Sequence, residues 1–409
     1  MLEAMARSSA GLDVHKAMVM CTLLKEDAEG GLIKETREVP TFRGHLEQLA
    51  GWLKEAEVEL TVMESTGVYW KSVYEALEDV GLKVFVVNAR HVKNVPGRKT
   101  DVQDSEWLAE LARYGLLRAS FIPPRDLREL RLLTRYRRKL SGYLAGEKNR
   151  LHKVLDDSGV RLGSVVSDID GVGAGKMIQA LIEGKKSAEE IAQMAEGKQK
   201  AKRPEIILAL EGLISDRHRF LLKRIQRHIR WLDKQIGEID SQVVAAMEPY
   251  RKEWELMQTI PGIDEIGAAM LLAEIGVDMP RFGSKDKLSS WAGMCPGNNE
   301  SAGKKKSGHT RQGNRYVRQL LCEAANSAVK TESQFKGFYR GLVIRRGHKK
   351  AIVAVGHKIL ETIYVVLNKK EPYKDPKVDY EALMVKRNAP RWLKALQKFG
   401  YLPIYDQKP

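Results

Sequence analysis

Cysteine is scarce in this sequence, and long hydrophobic runs are missing from it. The three cysteines, Cys21, Cys295 and Cys322, lie far apart and show neither CxxC nor Cys/His spacing. This pattern indicates neither a disulfide framework nor a structural zinc site. No stretch approaches the length of a transmembrane helix, and no signal pattern precedes Gly11. We therefore expect a cytoplasmic protein that has no membrane partner.

Acidic residues are in deficit as well. The chain has 69 Lys and Arg against 53 Asp and Glu, which gives a net charge of +16. The positive excess is spread over many segments, and such a field favours a polyanionic partner. With 409 residues, of which 43% are hydrophobic, the chain can bury substantial cores. Its length predicts two to three domains.

The first part of the chain, residues 1–122, alternates strand-like with helix-like segments. Apolar, β-prone runs cover residues 12–24, 60–63 and 82–88, and amphipathic runs typical of helices lie between them. This alternation predicts an α/β sheet. Ligands of open α/β sheets gather at the carboxyl ends of the strands, so functional side chains are expected there.

Four acidic residues are candidates for a metal site at that edge. Each lies in or directly after an apolar run, or shares a face of the next helix with another acid: Asp13, Glu64, Asp101 and Asp104. An acid in an apolar segment is costly to desolvate unless it is paired or binds a metal. Carboxylate oxygens suit Mg²⁺, with Mn²⁺ as the second candidate ion. Taken singly, these acids could instead be helix caps, turn residues or paired core acids.

The basic pair Arg98 and Lys99 comes directly before the helix with the two acids and is a candidate nucleic-acid contact. Beyond Pro123-Pro124 the pattern becomes helical, and we predict a helical linker with a small insertion over residues 123–252. Apolar residues recur at three-four spacing from Leu222 to Ala246. We predict a coiled-coil arm that joins subunits, with an ordinary amphipathic core helix as the alternative.

Residues 253–372 are predicted to form a further domain, followed by a tail over residues 373–409. Apolar helices flank Pro261-Gly262-Ile263, a pattern that resembles a helix-hairpin-helix, in which the turn at Gly262 offers backbone N–H groups to a phosphate. The following loop holds Ser301 among cations that are candidate nucleic-acid contacts: Lys304, Lys305, Lys306, Arg311, Arg315 and Arg318. Positive charge helps a serine hydroxyl to ionise and stabilises a reacting phosphodiester. A loop that only binds phosphates is the alternative.

Five ordered motifs carry a family resemblance. They are Gly-Leu-Asp-Val-His-Lys from Gly11, Glu-Ser-Thr-Gly from Glu64, Lys-Thr-Asp-x-x-Asp from Lys99, Pro-Gly-Ile from Pro261, and Ser301 followed by Gln-Gly-Asn-Arg from Gln312. The sequence resembles the IS110 family of transposases, particularly its IS1111 branch, over most of the chain. In one departure, Ala302 stands between Ser301 and Gly303 where the family commonly has Ser-Gly, so Ser307 is the alternative nucleophile.

The resemblance implies a RuvC-like (RNase H-fold) domain, a coiled-coil linker and a mostly α-helical C-terminal transposase domain. Asp13, Glu64, Asp101 and Asp104 would be its DEDD carboxylates, and Ser301 would be its nucleophile. It further implies an RNA-guided DNA recombinase that binds donor and target duplexes and a structured guide RNA, and that works as a dimer or tetramer. A metal-dependent nuclease selective for DNA junctions is the alternative function. A non-enzymatic DNA-bridging protein is the third.

Overall fold

The computed structural model describes residues 5–65, 67–88, 101–169, 171–297, 299–301, 304–307, 310 and 312–401, without the side chains of 101–103, 198, 299–301, 304–307 and 381. The chain divides into two compact units, Met1–Ile122 and Pro123–Pro409. Each unit has a hydrophobic core of its own.

Unit 1, Met1–Ile122, is built on a five-stranded mixed sheet in the order β3-β2-β1-β4-β5. The strands are β1 (Ser8–Val14), β2 (Met18–Glu26), β3 (Leu32–Pro40), β4 (Leu60–Glu64) and β5 (Val84–Val87). Among the described residues of this unit, the helices are α1 (Arg43–Glu55), α2 (Trp70–Asp79) and α3 (Asp101–Arg113). Strands β1, β2 and β3 pair antiparallel, whereas β4 pairs parallel with β1 and β5 pairs parallel with β4. The predicted α/β class of this unit is confirmed.

The two faces of the sheet bury different helices. Leu12 and Met63 belong to the core formed with α1 and α2, whereas Val62 packs with Leu108 of α3 on the opposite face. Successive side chains of a strand point to opposite faces. Residues 11, 13, 62 and 64 therefore share the face that α3 covers.

Unit 2, Pro123–Pro409, opens with a long helical hairpin that encloses four short helices. These elements are α4 (Arg125–Asp157), α5 (Leu162–Val165), α6 (Val172–Glu183), α7 (Ala188–Ala192), a 3-10 turn at Gly197–Lys202, α8 (Arg203–Leu210) and α9 (Asp216–Ala245). Helix α9 begins at a capping box, in which the Ser215 hydroxyl accepts the backbone N–H of His218. Reciprocal capping of this kind fixes where a helix starts.

The apolar seam of α9 packs inside its own chain. Leu222, Ile225 and Ile229 are buried in one core together with Leu151 of α4 and Met177 of α6. The interpretation of Leu222 to Ala246 as a seam between subunits is therefore corrected for these residues, which form an amphipathic core helix. A three-four repeat specifies an apolar face, but it does not specify whether the partner lies in the same chain.

In the rest of unit 2, the described regular elements are helical apart from one small hairpin. Its elements are 3-10 turns at Glu248–Tyr250 and Met279–Phe282, helices α10 (Arg251–Gln258), α11 (Glu265–Ile275) and α12 (Lys285–Trp291), strands β6 (Asn299–Ser301) and β7 (Lys304–Ser307), and helices α13 (Arg315–Ala328), α14 (Gln334–Arg346), α15 (His348–Lys369) and α16 (Tyr380–Lys398). The predicted helical C-terminal region is confirmed. Helix α16 lies in the segment that was predicted as a tail.

Helix α15 corrects the expectation that no stretch approaches membrane-spanning length. Its 22 residues are long and apolar enough to cross a membrane by length and composition alone. Half of the apolar stretch of this helix is buried inside the protein, and Val355, Ile359 and Ile363 are fully buried. The core helix of a globular protein meets the same criterion, so the helix is weak support for a membrane span.

Candidate active site

Gly11 on β1 allows α3 to lie unusually close to the sheet. A Cβ atom at this position would stand 2.0 Å from the backbone oxygen of Ser105 and 2.4 Å from the backbone nitrogen of Ala109. Two hydroxyl contacts hold the helix in place: Ser9 Oγ donates to the Ala109 carbonyl at 2.9 Å, and Thr22 Oγ1 bonds Ser105 Oγ at 2.7 Å. These contacts fix the first turns of α3 against β1 and β2.

The same packing places the predicted acids on one face of the sheet. Asp13 lies two residues after Gly11 on β1, so the two positions face the same side of the sheet. Glu64 is the last residue of β4, the parallel neighbour of β1, and it directly follows Met63, which pairs with Leu12. Asp104 directly precedes the anchored Ser105 in the first turn of α3. Asp101 is the first residue of that helix, and its side chain lies outside the described residues. The strand ends and the helix start thus share one edge.

Asp13 is partly buried, and its Oδ2 lies 3.0 Å from Nε2 of His15. Within the described part of the chain, no group of three or more Asp, Glu, His or Cys is arranged to hold a metal ion. The donors at this edge are carboxylates at the ends of neighbouring strands, and hard oxygen ligands of this type fit Mg²⁺ or Mn²⁺. A divalent metal held by such carboxylates would polarise a phosphoryl oxygen.

Ser301 ends β6 and pairs with Lys304, the first residue of β7. Ser307 lies at the opposite end of the same two-stranded hairpin, paired with Asn299. A bridge between Pro296 and Thr310 closes the segment. The two serines are therefore separated along the hairpin, and each has a lysine beside it: Ser301 lies opposite Lys304, and Ser307 directly follows Lys306.

The hairpin returns to the helical core through Gly313 and Asn314. A Cβ atom at Gly313 would stand 2.3 Å from the backbone nitrogen of Gly293, so only glycine fits there. Asn314 caps α13, because its Oδ1 accepts the backbone N–H groups of Tyr316 and Val317 at 3.0 and 3.2 Å. The Gln-Gly-Asn-Arg motif thus has a structural role at the base of the serine hairpin.

A buried glutamate anchors that cap. Glu274 of α11 is only 1% exposed, and its Oε2 accepts the Asn314 side-chain N–H at 2.7 Å. Arg135 of α4 donates two hydrogen bonds to the same carboxylate, at 2.8 and 2.9 Å. Arg131 donates to the carbonyl of Ala273 at 2.8 Å. Burial alone raises the pKa of Glu274, but the hydrogen bond from Arg135 and the charges of Arg131 and Arg135 outweigh it and hold the pKa below its ordinary value.

A basic cavity of about 640 Å³ lies beside this cap, between α4 and α13. The side chains that line it include Arg135, Arg138, Lys139, Arg315, Tyr316, Gln319 and Glu323. The guanidinium groups of Arg135 and Arg315 stack on the Tyr316 ring, at 4.4 and 4.9 Å from its centroid. Arg138 is paired with Glu323, which leaves Lys139 and Arg315 as the exposed cations. A phosphate group is the kind of ligand that such a cavity attracts.

Of the other predicted nucleic-acid contacts, some lie within the described residues and some lie outside them. Arg318 lies one turn after Arg315 on α13, while Lys304, Lys305 and Lys306 lie on β7 without described side chains. Arg98, Lys99 and Arg311 lie outside the described residues. Gly262 has a φ of +88°, and a Cβ atom there would stand 2.2 Å from the Ala324 carbonyl oxygen. Tight packing of its turn on α13 is therefore a sufficient reason for this glycine.

The sequence reasoning missed Glu274 and Arg135. The signal was present, because Glu274 stands inside the apolar segment 268–275 in the same way that Asp13 and Glu64 stand in theirs. Its partner could not be found from spacing, since Arg135 lies 139 residues away.

A mixed sheet with acids at one edge, followed by a largely helical region, is the arrangement of a DEDD transposase, an enzyme that cuts and rejoins DNA. Residues 10–159 match the transposase family model named DEDD_Tnp_IS110, and residues 254–340 match a second model, described as the transposase IS116/IS110/IS902 family. Together the two matches cover more than half of the chain. The protein belongs to the IS110 family of transposases and is the transposase of an insertion sequence.

The chain is also similar to individual proteins. The chain is 23% identical to the transposase for insertion sequence element IS1111A of Coxiella burnetii, over 84% of this chain and 87% of that protein. It is 24% identical to an uncharacterized 42 kDa protein of insertion element IS900 from Mycobacterium paratuberculosis, over 88% and 95%. Among solved structures, Thermus thermophilus RuvC is 15% identical, with 28% of this chain and 99% of RuvC covered and a TM-score of 0.23.

Proposed function

We propose that this transposase is an RNA-guided, site-specific DNA recombinase that uses Ser301 as its nucleophile. Its partners are the donor and target DNA duplexes and a structured guide RNA, and it acts in the cytoplasm as a dimer or tetramer. The IS110 membership and the net charge of +16 support the nucleic-acid partners. The sequence resemblance supports RNA guidance and assembly into a multimer.

The assignment of Ser301 as the nucleophile is based on its position in the β6–β7 hairpin. It ends β6 opposite Lys304, in a hairpin with three consecutive lysines, and the chain leaves the hairpin through the buried Glu274–Asn314 contact. Fixed positive charge next to a hydroxyl stabilises its alkoxide and the charge that develops on an attacked phosphate. A rigid base for the hairpin keeps that arrangement in place, since catalytic groups gain from fixed orientation.

The chemical step conserves the number of phosphoester bonds. The Ser301 oxygen attacks the phosphorus of a DNA phosphodiester, the seryl proton leaves, and one bond from phosphorus to a deoxyribose oxygen breaks. The displaced oxygen takes up a proton and becomes a free hydroxyl on the cut strand. Attack by a hydroxyl of another strand then reverses the step and frees Ser301. Rejoining needs no external energy because the phosphoserine ester retains the bond.

In this proposal Asp13, Glu64, Asp101 and Asp104 hold Mg²⁺, which would supply electrostatic stabilisation at the phosphate. Arg98, Lys99, Arg311 and the lysines of β7 bind the nucleic-acid backbone. Arg315 and Arg318 extend this basic surface along α13, and Arg315 also lines the basic cavity there. Phosphate contacts of this kind position a duplex without reading its sequence.

The test compares Ser301→Ala with Ser307→Ala in the full-length protein. Losing one neutral hydrogen bond to a phosphate costs ~0.5 to 1.5 kcal/mol, roughly tenfold or less, whereas losing the nucleophile removes the covalent step. We expect Ser301→Ala to bind RNA and DNA normally but to give no recombinants and no SDS-stable protein–DNA adduct. Ser307→Ala is the matched control and keeps measurable activity.

Three outcomes separate the alternatives. An adduct that persists in Ser301→Ala and disappears in Ser307→Ala assigns the nucleophile to Ser307. DNA cleavage that needs only Mg²⁺ and the four carboxylates, with neither serine required, makes the protein a junction-selective nuclease. Recombination that proceeds equally well after the removal of all bound RNA contradicts RNA guidance.

A further inference from the structure

One face of α9 carries a regular pattern of cations and aromatic rings that the proposed chemistry does not use. At alternating steps of three and four residues stand Arg217, Phe220, Arg224, Arg227, Trp231 and Lys234, here called the α9 stripe. At 100° per residue these positions fall within about 100° of arc, so they form one face. The opposite face holds Leu222, Ile225 and Ile229 in the core.

The aromatic rings of the α9 stripe are exposed although the helix has an apolar core face available. Phe220 is 62% exposed and Trp231 is 51% exposed. The Arg224 guanidinium lies 5.1 Å from the Phe220 ring centroid, and the His228 ring is tilted by 32° against Trp231 at 5.9 Å. Both rings thus have a neighbouring side chain of the same helix beside them. Each ring presents a flat apolar surface, framed by positive charge, to the outside of the helix.

The cations of the α9 stripe are largely free of acidic partners. Arg217 and Arg227 make no side-chain ion pair or hydrogen bond with any described residue. Lys234 lies 3.8 Å from Glu238, which is a weak exposed pair. Asp216 lies in the first turn of the helix, where it complements the helix dipole. The central part of the stripe therefore attracts anions.

We propose that the α9 stripe binds an unpaired segment of RNA. Exposed rings spaced among cations bind nucleotides whose bases can stack on the rings while their phosphates meet the cations. In a duplex the bases are stacked on each other and cannot reach these rings, so the duplex DNA partner does not fit the pattern. RNA presents unpaired bases in loops and bulges. The commitment to RNA, as opposed to single-stranded DNA, rests on the proposed function. The commitment to a single strand rests only on the exposed rings and cations of the α9 stripe.

A second copy of this chain is a poorer occupant of the same face. In a two-fold interface the stripe would meet itself, and its four cations would face four identical cations. Like charges directly opposed across an interface are costly. A single-stranded polyanion avoids this repulsion, because its phosphates contact the cations and its bases contact the aromatic rings of the stripe.

The test measures binding of a fluorescent, unstructured 12-nucleotide RNA by anisotropy, with the full-length protein. We expect Phe220→Ala/Trp231→Ala to weaken binding by about tenfold for each ring removed, and Trp231→Phe to keep most of the affinity. Binding of a DNA duplex stays unchanged. The matched control is Leu208→Ala, which removes another exposed apolar side chain, 67% exposed on α8.

The cations are tested through the salt dependence of the same binding. Arg217→Ala/Arg227→Ala lowers the slope of log affinity against log salt by about 1.4, since each single-strand phosphate contact contributes about 0.7. The matched control is Lys349→Ala/Lys350→Ala, which removes two exposed cations at the start of α15. A control that lowers the slope equally overturns the assignment to the stripe.

The same experiments test RNA binding by the α9 stripe separately from the recombinase chemistry of Ser301. If the double ring variant binds RNA normally while the Ser301-dependent adduct still forms, the stripe is not the RNA site and the recombinase proposal stands. If the ring variant instead loses single-stranded DNA or duplex binding more strongly than RNA binding, the commitment to RNA is wrong. Dissociation of a multimer by the ring substitutions, seen in light scattering, would assign the face to a second copy.

Discussion

Asn314 donates its side-chain amide to the buried carboxylate of Glu274 across 2.7 Å, while its carbonyl oxygen caps α13. A single side chain thus joins the end of the serine-bearing segment to the core of unit 2. Arg135 completes the carboxylate's hydrogen bonds, and its guanidinium stacks on Tyr316. A disturbance of the buried charge should therefore affect both the stability of unit 2 and the serine chemistry.

The first prediction concerns removal of that charge. Glu274→Gln leaves two partly buried arginines without their shared counter-charge, and breaking a buried pair in this way costs on the order of 3 to 5 kcal/mol. We expect the free energy of unfolding to fall by roughly that amount in urea denaturation, with a weaker DNA adduct in the surviving folded fraction. The matched control is Glu323→Gln, which breaks an exposed pair with Arg138 and should cost less than about 1 kcal/mol. Equal effects of the two substitutions would contradict the role of Glu274.

The second prediction concerns pH. The pKa of Glu274 is lowered in the folded protein, so its contribution to stability is complete above its ordinary value of 4.5 and is lost as the pH falls through the lower folded pKa. The difference in unfolding free energy between the parent protein and Glu274→Gln should stay constant from neutral pH to pH 4.5 and shrink below it. Urea titrations at a series of pH values measure this difference. A difference that grows in acid would show that the carboxylate is not stabilised in its charged form.

The sequence predicted what depends on local pattern. The alternation of apolar and amphipathic runs in residues 1–122 predicted the α/β class, and the spacing of Asp101 and Asp104 placed both acids on α3. Partners distant in sequence were not accessible in this way. The contact of Gly11 with Ser105 and the pairing of Arg135 with Glu274 depend on how elements pack, and the seam of α9 carries no information about which chain covers it.

The third prediction tests the close approach of α3 to β1. In Gly11→Ala the new methyl group would meet backbone atoms of Ser105 and Ala109, which cannot rotate away. Helix α3 must shift, at a cost of about 1 to 3 kcal/mol for overpacking, and Asp104 shifts with it. We expect lower thermal stability of unit 1 and a loss of DNA cleavage. Gly51→Ala is the control, because nothing lies within 4 Å of a Cβ there and alanine favours a helix interior by about 0.5 to 1 kcal/mol.

The last prediction concerns the carboxylates themselves. If Asp13, Glu64, Asp101 and Asp104 hold Mg²⁺, replacing any one of them with its amide removes a charged ligand without changing the side-chain shape. The loss of one key electrostatic contributor costs at least ~3 kcal/mol of transition-state stabilisation, which is more than a hundredfold in rate.

We therefore expect Asp13→Asn and Asp104→Asn to fold normally, to bind DNA, and to need far more Mg²⁺ for residual cleavage. Glu47→Gln is the matched control, since this acid lies on α1 in an exposed pair with Arg43 and should leave the Mg²⁺ requirement unchanged. The measurement is the rate of strand cleavage as a function of Mg²⁺ concentration, with excess EDTA as the zero point. Full activity in EDTA would exclude a metal requirement. Full activity of Asp104→Asn with an unchanged Mg²⁺ requirement would leave that residue as a first-turn acid that stabilises α3 through the helix dipole.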